Sequence, residues 1–223
     1  MYERLLIFVL VIILLIVLYC LYDTWYLYDH TLDDSILKYK PGVSDGISPE
    51  DSPITDDMVA WITIDGTNID YPVMQGIDNV KYLNTDPFGE YSLSGSIFLD
   101  SRNSPDFRDE YSLIYGHHME YGKMFGALDD FLNSDYLRSH TGGTLIIGKD
   151  AGKTYDLEVF ACMEASARED VVFNPGQSDE IRQYVKDHAK IYETERSDRI
   201  IGLSTCAEGD MVTRIIVFCY ILE

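Results

Sequence analysis

The order of hydrophobic and polar positions divides the chain into three parts. Leu5 to Tyr22 is an uncharged, mostly apolar run of eighteen residues, close to the length that crosses a hydrocarbon core of about 30 Å. Tyr19, Tyr22, Trp25, Tyr26 and Tyr28 crowd its far side, as aromatic residues do at a membrane interface. No small-residue cleavage pattern follows Leu18, so the run reads as a retained transmembrane helix rather than a cleaved signal. Arg4 precedes it, whereas Asp23, Asp29, Asp33 and Asp34 follow before Lys38. That asymmetry predicts a cytoplasmic N-terminus, with the remainder outside. The anchor is assigned to 1–28 and a linker to 29–57, where acidic residues mix with Pro41, Gly42, Gly46, Pro49 and Pro53 around a short helix near Leu32 to Tyr39.

The third part, 58–223, is long enough for one domain with a sizeable core. Its apolar or alternating runs are short: Val59–Ile64, Thr67–Val73, Gly95–Leu99, Tyr111–Gly116, Thr144–Ile147, Tyr155–Met163, Ile200–Ser204 and Arg214–Leu222. Turn residues separate them, Asp65-Gly66 being the strongest hairpin signal. Eight such runs predict a mainly β domain, a closed barrel or a sandwich. Two stretches have helical spacing instead. Met124 to Leu132 repeats Met124, Phe125, Leu128, Phe131 and Leu132, and Ser178 to Ala189 repeats Ile181, Val185 and His188 with Ser178 as the cap.

Composition narrows the partners. A formal net charge of −21 argues against nucleic acid and against an anionic membrane surface. No metal-ligand spacing stands out, and no cofactor is expected. Of the cysteines at 20, 162, 206 and 219, the first lies in the anchor. Cys162 and Cys219 sit within apolar runs, where a thiol behaves as a small hydrophobe; a disulfide between them stays open. Cys206 stands apart. It ends the apolar run Ile200–Ser204, and Arg214 begins the next run eight residues later. A thiol at a strand end facing a fixed cation suits a nucleophile, because the thiolate is the reactive form. His117, at the end of the Tyr111–Gly116 run, is the candidate acid/base partner. Arg214, which cannot lose its proton, is the candidate donor to an oxyanion or to a bound peptide backbone. Spacing alone does not bring three distant residues together.

The local motifs are more specific. Leu203-Ser204-Thr205-Cys206 with Arg214, and Ile114-Tyr115-Gly116-His117-His118-Met119 followed by Met124-Phe125-Gly126, resemble the sortases, class B in particular. Trp61-Ile62-Thr63-Ile64, Ile69-Asp70-Tyr71-Pro72-Val73, Tyr82-Leu83-Asn84 and Gly95-Ser96-Ile97-Phe98-Leu99-Asp100 agree. The resemblance covers Met58 to Glu223. It implies an eight-stranded β-barrel with a few helices, and a catalytic domain over 58–223. It also implies a transpeptidase with Cys206 as nucleophile, His117 as general acid/base and Arg214 as the orienting cation. The expected partners are a sorting-signal peptide of a secreted surface protein and an amine acceptor, either a peptidoglycan precursor or a pilin lysine. The expected setting is the cell membrane of a Gram-positive bacterium. Substrate contacts are expected at Asn84, Ser204 and Thr205. Glu208 and Asp210 either attract an incoming ammonium or form a solvated loop. His118, His30, His140 and His188 match no catalytic position; neighbouring His117 and His118 on an extended segment point to opposite faces and do not make a metal pair. Two rival readings remain: a membrane-anchored cysteine protease that releases the same thioester to water, and a non-catalytic extracytoplasmic module.

Overall fold

The eight apolar runs become eight strands that close on themselves. The computed structural model describes residues 2–31, 34–43, 47–206 and 212–223, including the side chains of all of these except 23–31, 34–35, 177–179 and 206. Residues 1–33 and 34–223 form two separate units. The first is a single helix, α1 (Tyr2–Thr31). In the second, β1 (Met58–Ile64), β2 (Asp70–Met74), β3 (Ile97–Leu99), β4 (Tyr111–Tyr115), β5 (Gly142–Ile147), β6 (Lys153–Ser166), β7 (Ile191–Tyr192), β8 (Arg199–Cys206) and β9 (Thr213–Leu222) follow in chain order. Their spatial order is β5-β1-β2-β3-β4-β8-β9-β6, and β6 pairs again with β5 to complete an eight-stranded barrel. Pairings are antiparallel except β2–β3 and β4–β8, which are parallel. The ninth strand, β7, is too short to have been read in the sequence; it adds to β6 opposite Ala161 and Cys162.

Burial explains why the last strand is a continuous apolar run. Ile215, Val217, Cys219 and Ile221 point into the barrel with Ile62, Leu99, Ile114, Leu145, Leu157 and Leu203. Ile216, Phe218 and Tyr220 point outward, but they are covered too, packing with Phe160, Val172, Ile181 and Val185. Phe160 belongs to β6, and the other three come from α3 (Asp170–Phe173) and α4 (Ile181–His188), inserted between β6 and β8. A strand buried on both faces has no polar alternation to show.

Three expectations need correction. The stretch from Met124 to Leu132 is not an α-helix but a 3-10 segment, Gly126–Leu132, followed by the short helix α2 (Ser134–Ser139), capped by the Asn133 side chain. Ser178 is not at the N-cap position: it lies in a 3-10 turn, Pro175–Glu180, and α4 begins only at Ile181, such turns being frequent at helix N-termini. The stretch expected to be a linker is partly docked. Ile36, Leu37 and Tyr39 pack on a cluster containing Trp61, Tyr82, Phe98 and Ile146. Beside them, Lys40 Nζ pairs with Asp70 at 2.8 Å and donates to Thr63 Oγ1 at 2.8 Å.

Candidate active site

Strand pairing brings the chemistry-bearing residues to one edge of the barrel. Parallel β4 and β8 run in register from Tyr111 opposite Ile200 to Tyr115 opposite Ser204. The register continues past the strand, since the Gly116 N–H donates to the Ser204 carbonyl at 3.1 Å. His117 therefore leaves β4 where β8 delivers Cys206. Strand β9 enters antiparallel at the same edge, with Cys206 directly opposite Arg214; opposed residues lie about 5 Å apart at Cα. Three adjacent strand ends thus supply His117, Cys206 and Arg214. The loop between Cys206 and Val212, with Glu208 and Asp210, lies outside the described residues, as does the Cys206 side chain.

The His117 loop is held by close packing. Gly116 is closely covered: an added Cβ would sit 2.5 Å from Ile97 Cδ1 and 2.7 Å from Phe125 Cδ2, so the Ile97 side chain and the Phe125 ring would have to shift. The loop then folds back: Phe125 N–H donates to the His117 carbonyl at 3.1 Å, and His118 bridges to Met124. The two histidines have different partners. His117 Nε2 bonds to the Leu83 carbonyl at 2.8 Å, and His118 Nε2 to Asp129 Oδ2 at 2.8 Å. Behind the loop, the Tyr115 hydroxyl donates to fully buried Asp100 at 3.0 Å. Burial raises the Asp100 carboxyl, but hydrogen bonds and charge from Arg102 outweigh it and hold the group below the usual carboxylate range.

The remaining sequence candidates divide. Asn84 is exposed and caps the 3-10 turn Lys81–Leu83, one residue from the carbonyl that meets His117. Ser204 and Thr205 are buried, and neither hydroxyl has a hydrogen-bond partner among the described residues. Arg214 is half-buried. Cys162 and Cys219 are both buried and free, not joined, and burial pushes each thiol up to about 12. His140 stacks on Tyr136 and His188 on Tyr184, as packing residues do. Among the described residues, no group of three His, Cys, Asp or Glu side chains is placed to hold a metal. The Leu83 carbonyl and Asp129 were not foreseen. A backbone acceptor carries no side-chain signal, and nothing local ties Asp129 to His118.

A sortase domain family model matches residues 62–222, a span that includes all three strand ends. The chain belongs to the sortase family. Within it, class B is supported by sortase B of Staphylococcus aureus (strain NCTC 8325 / PS 47), 32% identical over 179 residues, 76% of this chain and 72% of that protein. A crystal structure of a Streptococcus pyogenes class B sortase involved in pilus biogenesis shares 38% identity and a TM-score of 0.69, covering 75% of this chain and 94% of that one. A Staphylococcus aureus sortase B–substrate complex gives 30% identity and a TM-score of 0.67, covering 76% and 82%. The barrel is thus the sortase fold, and this class B sortase is a cysteine transpeptidase. Its segment Tyr2–Tyr22 is long and apolar enough to cross a membrane, as an anchor or a signal.

Proposed function

We propose that this sortase cleaves the C-terminal sorting signal of a secreted protein and joins the new acyl end to an amine. The Cys206 sulfur attacks the scissile carbonyl carbon, and Arg214 donates to the developing oxyanion or fixes the peptide backbone. As the C–N bond breaks, the leaving nitrogen takes a proton from the His117 imidazolium, leaving a thioester. The acceptor amine then attacks the thioester carbon, gives its proton to His117 and expels the thiolate. Supporting this reading above all is the shared edge of β4, β8 and β9, with Cys206 in register with Arg214 and β4 delivering His117 beside them.

Asn84, exposed next to the His117 partner, is assigned to substrate binding, and Ser204 and Thr205 to the site wall. The organisation follows: an anchor over 1–28 with its N-terminus in the cytoplasm, a connecting segment over 29–57 in which Ile36 to Lys40 dock on the barrel, and an extracellular catalytic domain over 58–223. Two acceptors fit an amine-resolved thioester, a peptidoglycan precursor and a pilin lysine. The likeness to a sortase of pilus biogenesis favours testing the second alongside the first.

Variant kinetics on a sorting-signal peptide test the roles. Cys206→Ala is expected to abolish turnover with the fold retained. Arg214→Lys is expected to lose about 10²-fold or more in kcat, because a point charge does not reproduce the planar donor fork. Appreciable turnover by Cys206→Ala would sink the mechanism, and wild-type rates in Arg214→Lys would remove Arg214 from the oxyanion role.

A further inference from the structure

We propose that the Leu83 backbone carbonyl is the orienting partner of His117, and that Nδ1 is therefore the nitrogen through which His117 exchanges its proton. The inference rests on the acid/base reading of His117. A carbonyl oxygen only accepts, so the 2.8 Å contact requires the hydrogen on His117 Nε2. That holds in the neutral ring and in the imidazolium alike. In the neutral ring the lone pair is then on Nδ1; in the imidazolium the transferable hydrogen is the one on Nδ1. The proton given to the departing amine, and later regained from the acceptor amine, passes at that atom. In many cysteine and serine enzymes a side chain fixes the ring of the base. Here the adjacent His118, not His117, takes a carboxylate, that of Asp129.

The carbonyl is held in place from three directions. Tyr82, almost wholly buried, donates its hydroxyl to Asp57 Oδ2 at 2.7 Å. Lys81 pairs with the same carboxylate, which these contacts hold below its usual range. The Ser96 N–H donates to the Tyr82 carbonyl at 3.0 Å, fixing the turn against the chain that enters β3. Gly95 makes that approach feasible. It has φ +57, and a Cβ there would lie 2.4 Å from the Tyr82 oxygen and 2.5 Å from the Leu83 oxygen. A turn pinned at Asp57, Ser96 and Gly95 presents its last carbonyl to the imidazole at a fixed angle. Leu83 and its supports are positioning groups; none of them touches the reacting atoms.

The test uses the full-length chain in detergent, labelled with ¹⁵N-histidine, with long-range ¹H–¹⁵N correlations read at a pH where His117 is neutral. His117 is expected as the Nε2–H tautomer. Tyr82→Phe keeps the ring and loses the bond to Asp57; it is expected to mix the two tautomers and to lower kcat about 10- to 100-fold with little change in KM. Gly95→Ala is the second variant and is expected to act in the same direction more strongly. An Nδ1–H tautomer or an even mixture in the wild-type protein overturns the proposal. So do a wild-type tautomer and wild-type kcat in both variants. Activity retained by His117→Ala would instead refute the acid/base reading, and the tautomer measurement would stand apart from it.

Discussion

The same element serves opposite purposes in the cysteines of the barrel. Cys162 and Cys219 lie within β6 and β9 and face the interior, where desolvation disfavours the thiolate and pushes both thiols up to about 12. Cys206 ends a strand, opposite an arginine. Iodoacetamide at pH 8 is therefore expected to alkylate Cys206 in the native chain and to leave Cys162 and Cys219 untouched until guanidinium unfolds it. Peptide mass mapping checks this, and native alkylation of either buried cysteine would contradict it. This division was legible in the sequence, because strand interiors and strand ends differ in local pattern. The partner of His117 was not, since it is a main-chain oxygen thirty-four residues upstream.

At the scale of elements, the loops around the site depend on one buried carboxylate. Asp100, just after β3, accepts from Arg102 Nε at 2.8 Å, Asn79 Nδ2 at 2.8 Å and the Tyr115 hydroxyl at 3.0 Å. Arg102 in turn donates to the Phe173 carbonyl at the end of α3 at 2.7 Å. The cluster ties the β2–β3 connection, β4 and the helical insertion together. Asp100→Asn is expected to lower stability at pH 7 by about 2–3 kcal/mol, the scale of lost hydrogen bonds to a charged group. The folded-state carboxyl is depressed, so its contribution is fully present above the ordinary value near pH 3.9 and is lost as pH falls through the lower folded value. The gap between wild type and variant should hold from pH 5 to 8 and shrink below about pH 4. Urea melts across that range check it, and equal stability at pH 7 would contradict it. Strand positions were readable because β1, β6 and β9 carry long apolar runs. The helix ends were not: Met124 to Leu132 has helical spacing, yet it winds as a 3-10 segment packed under the His117 loop.

At the scale of the molecule, the sequence does not show which strands are neighbours. Nothing in Tyr111–Tyr115 or Arg199–Cys206 states that they pair in parallel across more than eighty intervening residues, and that pairing unites His117 with Cys206. The family resemblance supplied what periodicity did not: the barrel rather than a sandwich, and the meeting of the three residues. The docking of Ile36 to Lys40 on the barrel was also illegible, because Pro and Gly nearby read as a linker. The proposed reaction turns on a thioester at Cys206 that an amine resolves. Its most direct test is intact mass of the chain mixed with a sorting-signal peptide, with and without a glycine- or lysine-bearing acceptor. The expected result is an acyl adduct on Cys206 that disappears faster when one amine is added, with ligated peptide as product. An adduct that decays only by hydrolysis, at the same rate with every amine, would contradict it.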